Sequence, residues 1–303
     1  MLLRRWLYYL RSIPRLLTGI RAWPRTVALF LGLPVPRPLV IALRKDGLRF
    51  KVRSAMDVWV IKETCLDADY ERYGAEIRPG WTVVDIGAGL GDFTLYASRK
   101  VGPAGQVRAF EPFPESYALL LENIKLNGAL NIIALPYAVA RQRCRLDLVQ
   151  GGEAVRNGTV HNGGPGQVRA WGLAEALDGL ADCDLLKVDC EGGEYDIFLH
   201  APAEALRKLR LVCLEYHDGV ASHSHGDLAA FFAGQGFEVS LHPNPAHSDI
   251  GYLTARRSVP ERLPDGHGAA SGRSIAREGP SRAEDCRVEA PGERARGDTS
   301  ATV

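Results

Sequence analysis

Short apolar runs, rich in β-branched residues and separated by helical patterns, recur along the middle of the chain. These runs occupy residues 82–86, 106–110, 131–137, 184–189 and 210–216. Runs of this length and composition are typical of strands that are buried on both faces of a parallel sheet. Because helical spacing fills the segments between them, the pattern predicts alternating strands and helices and hence an α/β fold. Two further strands are expected at 237–241 and 250–256, where they would close the sheet.

The region before the sheet has a different pattern. Residues 37–75 predict a hairpin and a helical lead-in, because Asp46 and Gly47 form a strong tight-turn signal between two strand-like runs. Residues 76–257 form the predicted α/β domain, with an insert at 140–175 in which two strand-like runs flank a Gly- and Asn-rich stretch. The insert is either a flap over a substrate or a surface loop, and the sequence favours neither.

The two ends of the chain lack the alternating pattern. Residues 1–36 interleave arginines with Leu, Trp and Tyr and contain no acidic residue. No apolar stretch there reaches the roughly 18–20 residues that span a bilayer, and Pro14 and Pro24 exclude one long helix. A basic amphipathic segment of this kind either lies on a membrane surface or packs on the domain with its arginines in water. Residues 258–303 are rich in Gly, Pro, Ser and charge, which predicts a disordered tail.

Composition narrows the possible partners without identifying one. The 303 residues are 46% hydrophobic, enough for a sizeable core, and the net charge of +1 gives no global attraction to nucleic acid. The six cysteines form no C-x-x-C pair, so no zinc site is expected, and scattered free cysteines suit a reducing cytoplasm. We therefore expect a cytoplasmic protein whose membrane contact, if any, is peripheral and made through residues 1–36. The oligomeric state is open.

The first predicted strand leads directly into a glycine-rich turn. Gly87, Gly89 and Gly91 follow Asp85, and a helical pattern starts at Phe93. A strand that passes through glycines into a helix is a nucleotide-binding turn, because glycine lets the backbone approach a ligand closely. The last glycine comes one residue too early for the dinucleotide pattern G-x-G-x-x-G, and the Asp85 carboxylate would repel a pyrophosphate. The pattern D-x-G-x-G-x-G instead resembles motif I of class I S-adenosylmethionine (SAM) methyltransferases.

Acidic residues also end other predicted strands. Glu111 lies about twenty residues beyond the glycines, where nucleotide-binding folds place an acid that accepts hydrogen bonds from ribose hydroxyls. Asp189 and Glu191 follow the fourth strand, and Glu215 and His217 lie at the end of the fifth. Because ligands bind beyond the carboxyl ends of parallel strands, these side chains are expected to converge on one edge of the sheet. The predicted cofactor-binding residues are thus Asp85, Gly87, Gly89, Gly91 and Glu111.

Two stretches carry a narrower resemblance. L-L-K-V-D-C-E-G-G-E-Y at 185–195, followed by L-V-C-L-E-Y-H at 211–217, resembles the FkbM family of SAM-dependent methyltransferases. The resemblance extends over residues 57–256. It implies a Rossmann-like class I methyltransferase fold, a mostly parallel seven-stranded sheet with an antiparallel closing strand and helices on both faces. One departure is Gly89, where the family more often carries asparagine, which leaves cofactor contacts at that position to the backbone.

The resemblance also implies a reaction, which is methyl transfer from SAM, usually to a hydroxyl of a polyketide, glycan or lipid-linked sugar. A hydroxyl loses its proton at or near the transition state, so a positioned base helps. His217 is the first candidate because a neutral imidazole is available at pH 7, and Asp189 is the second. Glu191 is expected to bind the acceptor or orient Asp189. No metal is assigned, although these groups together with Glu215 would suit Mg²⁺ or Mn²⁺.

Other functions stay open at the level of the sequence. The residues do not separate O-methylation from N-methylation of an amine, and a non-catalytic, SAM-binding, membrane-associated scaffold is a further alternative. Acidic groups at so many strand ends argue against the scaffold. A small-molecule or glycan hydroxyl acceptor is the expected partner, and nucleic acid is not. Asp189 or Glu191 could also cap the next helix, and Glu215 with His217 could simply close the edge of the sheet.

Overall fold

The structure is a computed structural model that describes residues 12–21, 23–150, 157–160, 167–244, 247 and 249–257. The predictions for residues 1–11 and for the tail at 258–303 lie outside the described residues.

Helices and a hairpin precede the main sheet. The hairpin is antiparallel, with Leu39 opposite Val52, as the Asp46-Gly47 turn predicted. The helical lead-in is interrupted by a π-helix whose C-cap, Ala68, has a φ of 54°. These elements are α1 (residues 12–19), α2 (Trp23–Phe30), β1 (Leu39–Ala42), β2 (Arg49–Val52), α3 (Ala55–Ile61), the π-helix (Lys62–Asp67) and α4 (Asp69–Arg72).

Strands and helices alternate from residue 82 onward. The first half comprises β3 (Thr82–Ile86), α5 (Asp92–Val101), β4 (Gln106–Phe110), α6 (Pro114–Asn127), β5 (Ile132–Leu135), β6 (Ala138–Ala140), β7 (Cys144–Gln150), β8 (Asn157–Val160) and β9 (Gln167–Gly172). The second half comprises α7 (Leu173–Ala176), β10 (Leu185–Val188), α8 (Glu194–Leu199), α9 (Ala203–Arg207), β11 (Leu211–His217), α10 (His225–Gly234), β12 (Phe237–Pro243) and β13 (Ile250–Arg257).

The central sheet confirms the predicted architecture. Its seven strands lie in the order β12-β13-β11-β10-β3-β4-β5. β13 is antiparallel to both of its neighbours, and the other adjacent strands are parallel. β3 lies between β10 and β4, so the chain reverses its direction across the sheet at β3. Such a reversal opens a crevice at the carboxyl ends of the strands, where α/β folds bind their ligands.

Two apolar clusters cover the two faces of this sheet. On one face Ile20 and Phe50, from the N-terminal part, pack in the same cluster as Leu95 of α5. On the other face Phe198 and Phe232, from α8 and α10, belong to a second cluster. The hairpin and the lead-in therefore share one core with the sheet, and the boundary predicted between residues 75 and 76 stays a prediction.

The insert forms a second, four-stranded sheet in the order β6-β9-β7-β8. β7 and β9 are the two strands predicted there, and they pair antiparallel. The strand expected at 131–137 is β5, which ends at Leu135, and a further strand, β6, begins at Ala138. Pro136, which lacks a backbone N–H, lies between them, and the chain passes there from the central sheet to the second sheet. Residues 151–156 and 161–166 of the insert lie outside the described residues.

The N-terminal helices are short. α1 and α2 are separate, as Pro14 and Pro24 predicted, and α2 is eight residues long. Among the described residues, none of the helices is long and apolar enough to cross a bilayer.

Candidate active site

A cavity opens at the carboxyl edge of the central sheet. Its floor is the turn after β3, and its walls come from the ends of β4, β10 and β11 and from the lead-in. The acidic residues that line it include Glu63, Asp69, Glu111, Asp189, Glu191 and Glu215. The convergence predicted from the strand ends is thus present, and the lead-in adds acidic groups of its own.

The glycine turn passes under the tip of β10. A Cβ built at Gly87 would lie 1.8 Å from the carbonyl oxygen of Asp189, so only glycine fits there. Gly89 has a φ of 55°, and a Cβ built on it would meet no atom within 4 Å. Gly89 therefore faces the open cavity, where a ligand can approach its backbone. Gly91 packs against Leu120 behind the turn.

Asp85 lies beneath the turn and is fully buried. Its Oδ1 is 3.1 Å from Nζ of Lys187, and its Oδ2 accepts a hydrogen bond from Thr94 at 2.5 Å. Lys187 also donates to the carbonyl oxygen of Gly87 at 2.9 Å. Burial alone would lower the pKa of Lys187, but Asp85, followed by Asp189, raises it above the usual value. The pair thus fixes the backbone of the turn from below.

Glu111 lies at the end of β4 and lines the cavity. Its Oε2 accepts a hydrogen bond from the N–H of Gly89 at 2.7 Å, and its Oε1 accepts one from Phe113 at 2.9 Å. Burial raises the pKa of Glu111 to about 7, although these two backbone hydrogen bonds lower it. The carboxyl group is therefore fixed beside the glycine turn, where it can accept hydrogen bonds from a ribose.

Asp189 follows β10 directly and is partly exposed in the cavity. Its Oδ2 accepts a hydrogen bond from the hydroxyl of Tyr70 at 3.1 Å and lies 3.9 Å from Nζ of Lys187. Tyr70 belongs to α4, and its ring packs edge-on against Phe93 and Tyr252. The lead-in thus contributes the residue that orients Asp189.

His217 lies behind the cavity wall between two glutamates. Its Nδ1 is 3.1 Å from Oε1 of Glu194, and its Nε2 is 3.4 Å from Oε2 of Glu191. Burial lowers the pKa of His217, but the hydrogen bond and charge of Glu194 outweigh it and raise the pKa to about 10. The ring is protonated at neutral pH in this arrangement. The prediction that His217 is the base rested on a neutral imidazole, and it stays a prediction.

Glu194 holds this part of the site together. It is fully buried, and its oxygens accept hydrogen bonds from the backbone N–H groups of His217 and Gly192, each at 2.9 Å. Nearby, Glu191 has a φ of 54°, which is uncommon outside glycine and asparagine. Backbone strain of this kind clusters at functional sites.

Three of these groups could together hold a cation. One ligand atom from each of Asp189, Glu191 and His217 lies within 4.8 Å of the others. Two carboxylates and an imidazole suit Mg²⁺ or Mn²⁺. The protonated ring of His217 already supplies a positive charge near the carboxylates of Asp189 and Glu191.

The structure brings together most of the residues that the sequence indicated. Those that line the cavity are Gly87, Gly89, Glu111, Asp189, Glu191 and Glu215, whereas Asp85, Gly91 and His217 lie directly behind the lining. Burial and the charge of Asp189 raise the pKa of Glu215 well above its usual value.

Sequence reasoning missed the parts played by Tyr70 and Glu194. Tyr70 is 119 positions from Asp189, and its segment shows only an amphipathic helical pattern. Glu194 ends the C-E-G-G-E run and begins α8. The glycines at 192 and 193 indicate a sharp bend of the chain before Glu194. They do not indicate that the side chain of Glu194 turns back to His217.

Comparison with known proteins now identifies the family. The model of the Methyltransferase FkbM domain matches residues 85–239, about half of the chain. The chain belongs to the FkbM methyltransferase family. The resemblance in 185–195 and 211–217 is thereby confirmed, and so are methyltransferase activity and SAM as the cofactor.

The chain is similar to two named methyltransferases over most of their length. The chain is 27% identical to "31-O-demethyl-FK506 methyltransferase FkbM" of Streptomyces tacrolimicus, over 66% of this chain and 90% of that protein. It is 26% identical to "Methyltransferase sdnD" of Sordaria araneosa, over 71% of this chain and 96% of that protein. Among solved structures, fibrillarin of Aeropyrum pernix with bound SAM aligns over 71% of this chain and 93% of that chain, with 13% identity and a TM-score of 0.44.

The residues at the glycine turn fit SAM. Gly89 leaves open space above its backbone, and Glu111 is a hydrogen-bonded carboxyl group at the tip of the next strand. A donor-rich ribose requires such an acceptor, and a sulfonium cation is favoured by the acidic lining. When bound, SAM supplies an electrophilic methyl group on sulfur.

Proposed function

We propose that this FkbM methyltransferase methylates a hydroxyl oxygen and that Asp189 accepts the hydroxyl proton. The observation that carries the proposal is the position of Asp189. Its side chain is partly exposed in the cavity at the tip of β10, its backbone carbonyl oxygen lies over Gly87 of the cofactor turn, and the hydroxyl of Tyr70 donates a hydrogen bond to its carboxylate. A base must lie within hydrogen-bond reach of the proton that it removes, and Asp189 presents a carboxylate to the cavity that the glycine turn also lines.

The proposed step needs only one proton acceptor from the chain. As the acceptor oxygen forms its bond to the methyl carbon, the carbon–sulfur bond breaks and the sulfur keeps the electron pair. The hydroxyl proton passes to Asp189 and from there to solvent. The chain contributes orientation, since a reacting pair held at the right distance and angle gains most of its rate from position.

His217 and Glu191 have a supporting role in this proposal. The protonated ring of His217 lies against Glu191 and Glu194, so it places one positive charge behind a strongly acidic wall. That charge lies 3.4 Å from Oε2 of Glu191 and offsets part of the negative charge of this wall. We propose that Glu191 accepts a hydrogen bond from a second hydroxyl of the acceptor and so orients it.

The acceptor class follows from the lining and from the relatives. Eight acidic residues around the cavity disfavour phosphorylated or carboxylated acceptors and favour polyhydroxylated ones, whose hydroxyls donate to carboxylates. The name of the Streptomyces tacrolimicus relative specifies O-methylation of a natural product. We therefore propose a neutral sugar or polyketide hydroxyl as the acceptor. An amine is the second candidate, because the same acidic lining attracts cations.

The test is transfer of a labelled methyl group from SAM to fractionated extract of the source organism, followed by NMR of the product. A methoxy carbon supports the proposal, whereas an N-methyl group contradicts it. Calorimetric titration with SAM is run in parallel. If SAM binds and no fraction is labelled, the extract lacks the acceptor, and defined sugars and polyketide alcohols are tested next. If SAM does not bind to the folded protein, the proposal fails.

A further inference from the structure

The N-terminal part of the chain exposes apolar side chains that nothing in the described structure covers. Trp23 and Phe30 lie seven positions apart on α2, which places them on the same face of the helix, and both are exposed. Leu31 and Leu33 follow directly and are 68% and 53% exposed. Ile13 of α1 is exposed as well. We call Trp23, Phe30, Leu31 and Leu33 the apolar ridge.

The segment of the chain that carries the apolar ridge has charged residues of one sign only. The first 45 residues contain eight arginines and one lysine and not one Asp or Glu. The rest of the chain has the opposite balance, because all 36 acidic residues and only 28 basic residues lie there. Arg21 and Arg25 flank Trp23 in the sequence and are exposed. Such asymmetry indicates an anionic surface as the partner of this end of the chain.

The apolar ridge is continuous with the wall of the cavity. The ring of Phe30 packs edge-on against Trp59 of α3, with 6.5 Å between the ring centroids. Met56 lies one helical turn before Trp59, is exposed, and lines the cavity. A surface seated on the apolar ridge would therefore lie close to the side of the cavity formed by the lead-in.

We propose that the apolar ridge and its flanking arginines bind an anionic lipid surface. The occupant is a bilayer because the ridge combines exposed aromatic and aliphatic side chains with arginines, which is how interfacial segments enter the headgroup region. Nucleic acid would use the arginines and would leave Leu31 and Leu33 without a role. The acidic remainder of the chain is repelled by the same lipid surface, which orients the protein with the ridge toward it.

Vesicle co-sedimentation with the full-length protein tests the proposal. We expect binding to phosphatidylcholine vesicles that contain phosphatidylserine. The double variant Leu31→Glu/Leu33→Glu should bind these vesicles about tenfold or more weakly, because it places charge where acyl chains are met. Arg21→Gln/Arg25→Gln should weaken binding about fivefold per arginine, and only when phosphatidylserine is present.

The matched control is Leu130→Glu, since Leu130 is 98% exposed in the loop after α6 and lies outside the apolar ridge. It should bind vesicles as the wild type does, and the melting temperatures of all variants should agree, because every substituted side chain is exposed. The proposal is overturned if Leu31→Glu/Leu33→Glu pellets as the wild type does. The proposal is also overturned if salt abolishes binding but the substitution Leu31→Glu/Leu33→Glu leaves it unchanged. That result would describe attachment to a polyanion such as nucleic acid. Neither outcome depends on which acceptor the enzyme methylates.

Discussion

Asp85 and Lys187 are paired residues on neighbouring parallel strands, and their charged groups meet 3.1 Å apart in the interior of the protein. Both side chains are almost fully buried. Asp85 belongs to the motif that indicated the cofactor, and Lys187 belongs to the motif that indicated the family. The ion pair therefore couples the glycine turn mechanically to the strand that carries Asp189.

Removing one member of this pair should destabilise the protein strongly. We expect Lys187→Met to lower the free energy of unfolding by about 3–5 kcal/mol, because it leaves a buried carboxylate without its partner. Urea denaturation measures the change. Lys125→Met, at an exposed site on α6, should change it by less than about 0.5 kcal/mol. The double variant Asp85→Asn/Lys187→Met should recover part of the loss, and a double variant as unstable as Lys187→Met would contradict this account.

Two glycines of the turn should respond differently to the same substitution. Both Gly87 and Gly89 have positive φ, so alanine costs about 1 kcal/mol of stability at either position through the backbone alone. At Gly87 the new Cβ also meets the carbonyl oxygen of Asp189. We expect Gly87→Ala to lower the free energy of unfolding by about 2–4 kcal/mol in total. Gly89→Ala should lower it by about 1 kcal/mol. Thermal and urea denaturation measure the loss of stability in each variant. Equal losses in Gly87→Ala and Gly89→Ala would contradict the close approach of Gly87 to the carbonyl oxygen of Asp189.

SAM binding should weaken as the pH falls through about 7. Burial raises the pKa of Glu111 to about 7, so its neutral form predominates below that value and its ionised form above it. The ionised form is the better acceptor for ribose hydroxyls, and we expect an affinity loss of about tenfold on the acid side. Glu111→Gln should bind weakly and without this pH dependence in calorimetric titration. Glu115→Gln, at an exposed position of α6, should titrate as the wild type does.

Asp189 and Tyr70 should affect turnover more than cofactor binding. We expect Asp189→Asn to lower kcat by about 10²–10⁴, since it removes the proton acceptor, while the dissociation constant of SAM stays close to that of the wild type. Tyr70→Phe should lower kcat about tenfold through the lost hydrogen bond to Asp189. Tyr117→Phe is the control, because its hydroxyl donates to the carbonyl oxygen of Ala134. Full activity of Asp189→Asn would exclude Asp189 as the base.

Metal removal distinguishes two uses of the group formed by Asp189, Glu191 and His217. We expect turnover after dialysis against EDTA to equal that before it, because protonated His217 already balances the carboxylates. Added Mg²⁺ or Mn²⁺ should then have no effect. Activity that EDTA abolishes and Mn²⁺ restores would show that the three residues hold a cation. Electron paramagnetic resonance measures manganese binding independently of activity. Binding by the wild type that is lost in the Glu191→Gln variant would locate the ion at these three residues.

The fold and the edge of the sheet that carries the cofactor motif could both be predicted from the amino-acid pattern alone. Apolar runs of strand length alternate with helical patterns, and this local information fixes a parallel sheet because such strands must be buried on both faces. The glycines after β3 and the acid after β4 have a fixed relation to the strand ends, so both could be assigned to the same edge of the sheet, and in the structure Gly89 donates a hydrogen bond to Glu111. Even the insert was recognisable, since its strands flank a stretch rich in glycine.

Which of the acidic and basic groups contact one another depends on how the folded elements pack. Tyr70 reaches Asp189 from a segment far away in the chain, and Glu194 turns back to hold His217, and no local pattern records either contact. The charge state of His217 depends on the burial of its ring and on two glutamates that surround it. The sequence could list the titratable groups at the strand ends, but their distances set their pKa values, and distances across elements exist only in the folded chain.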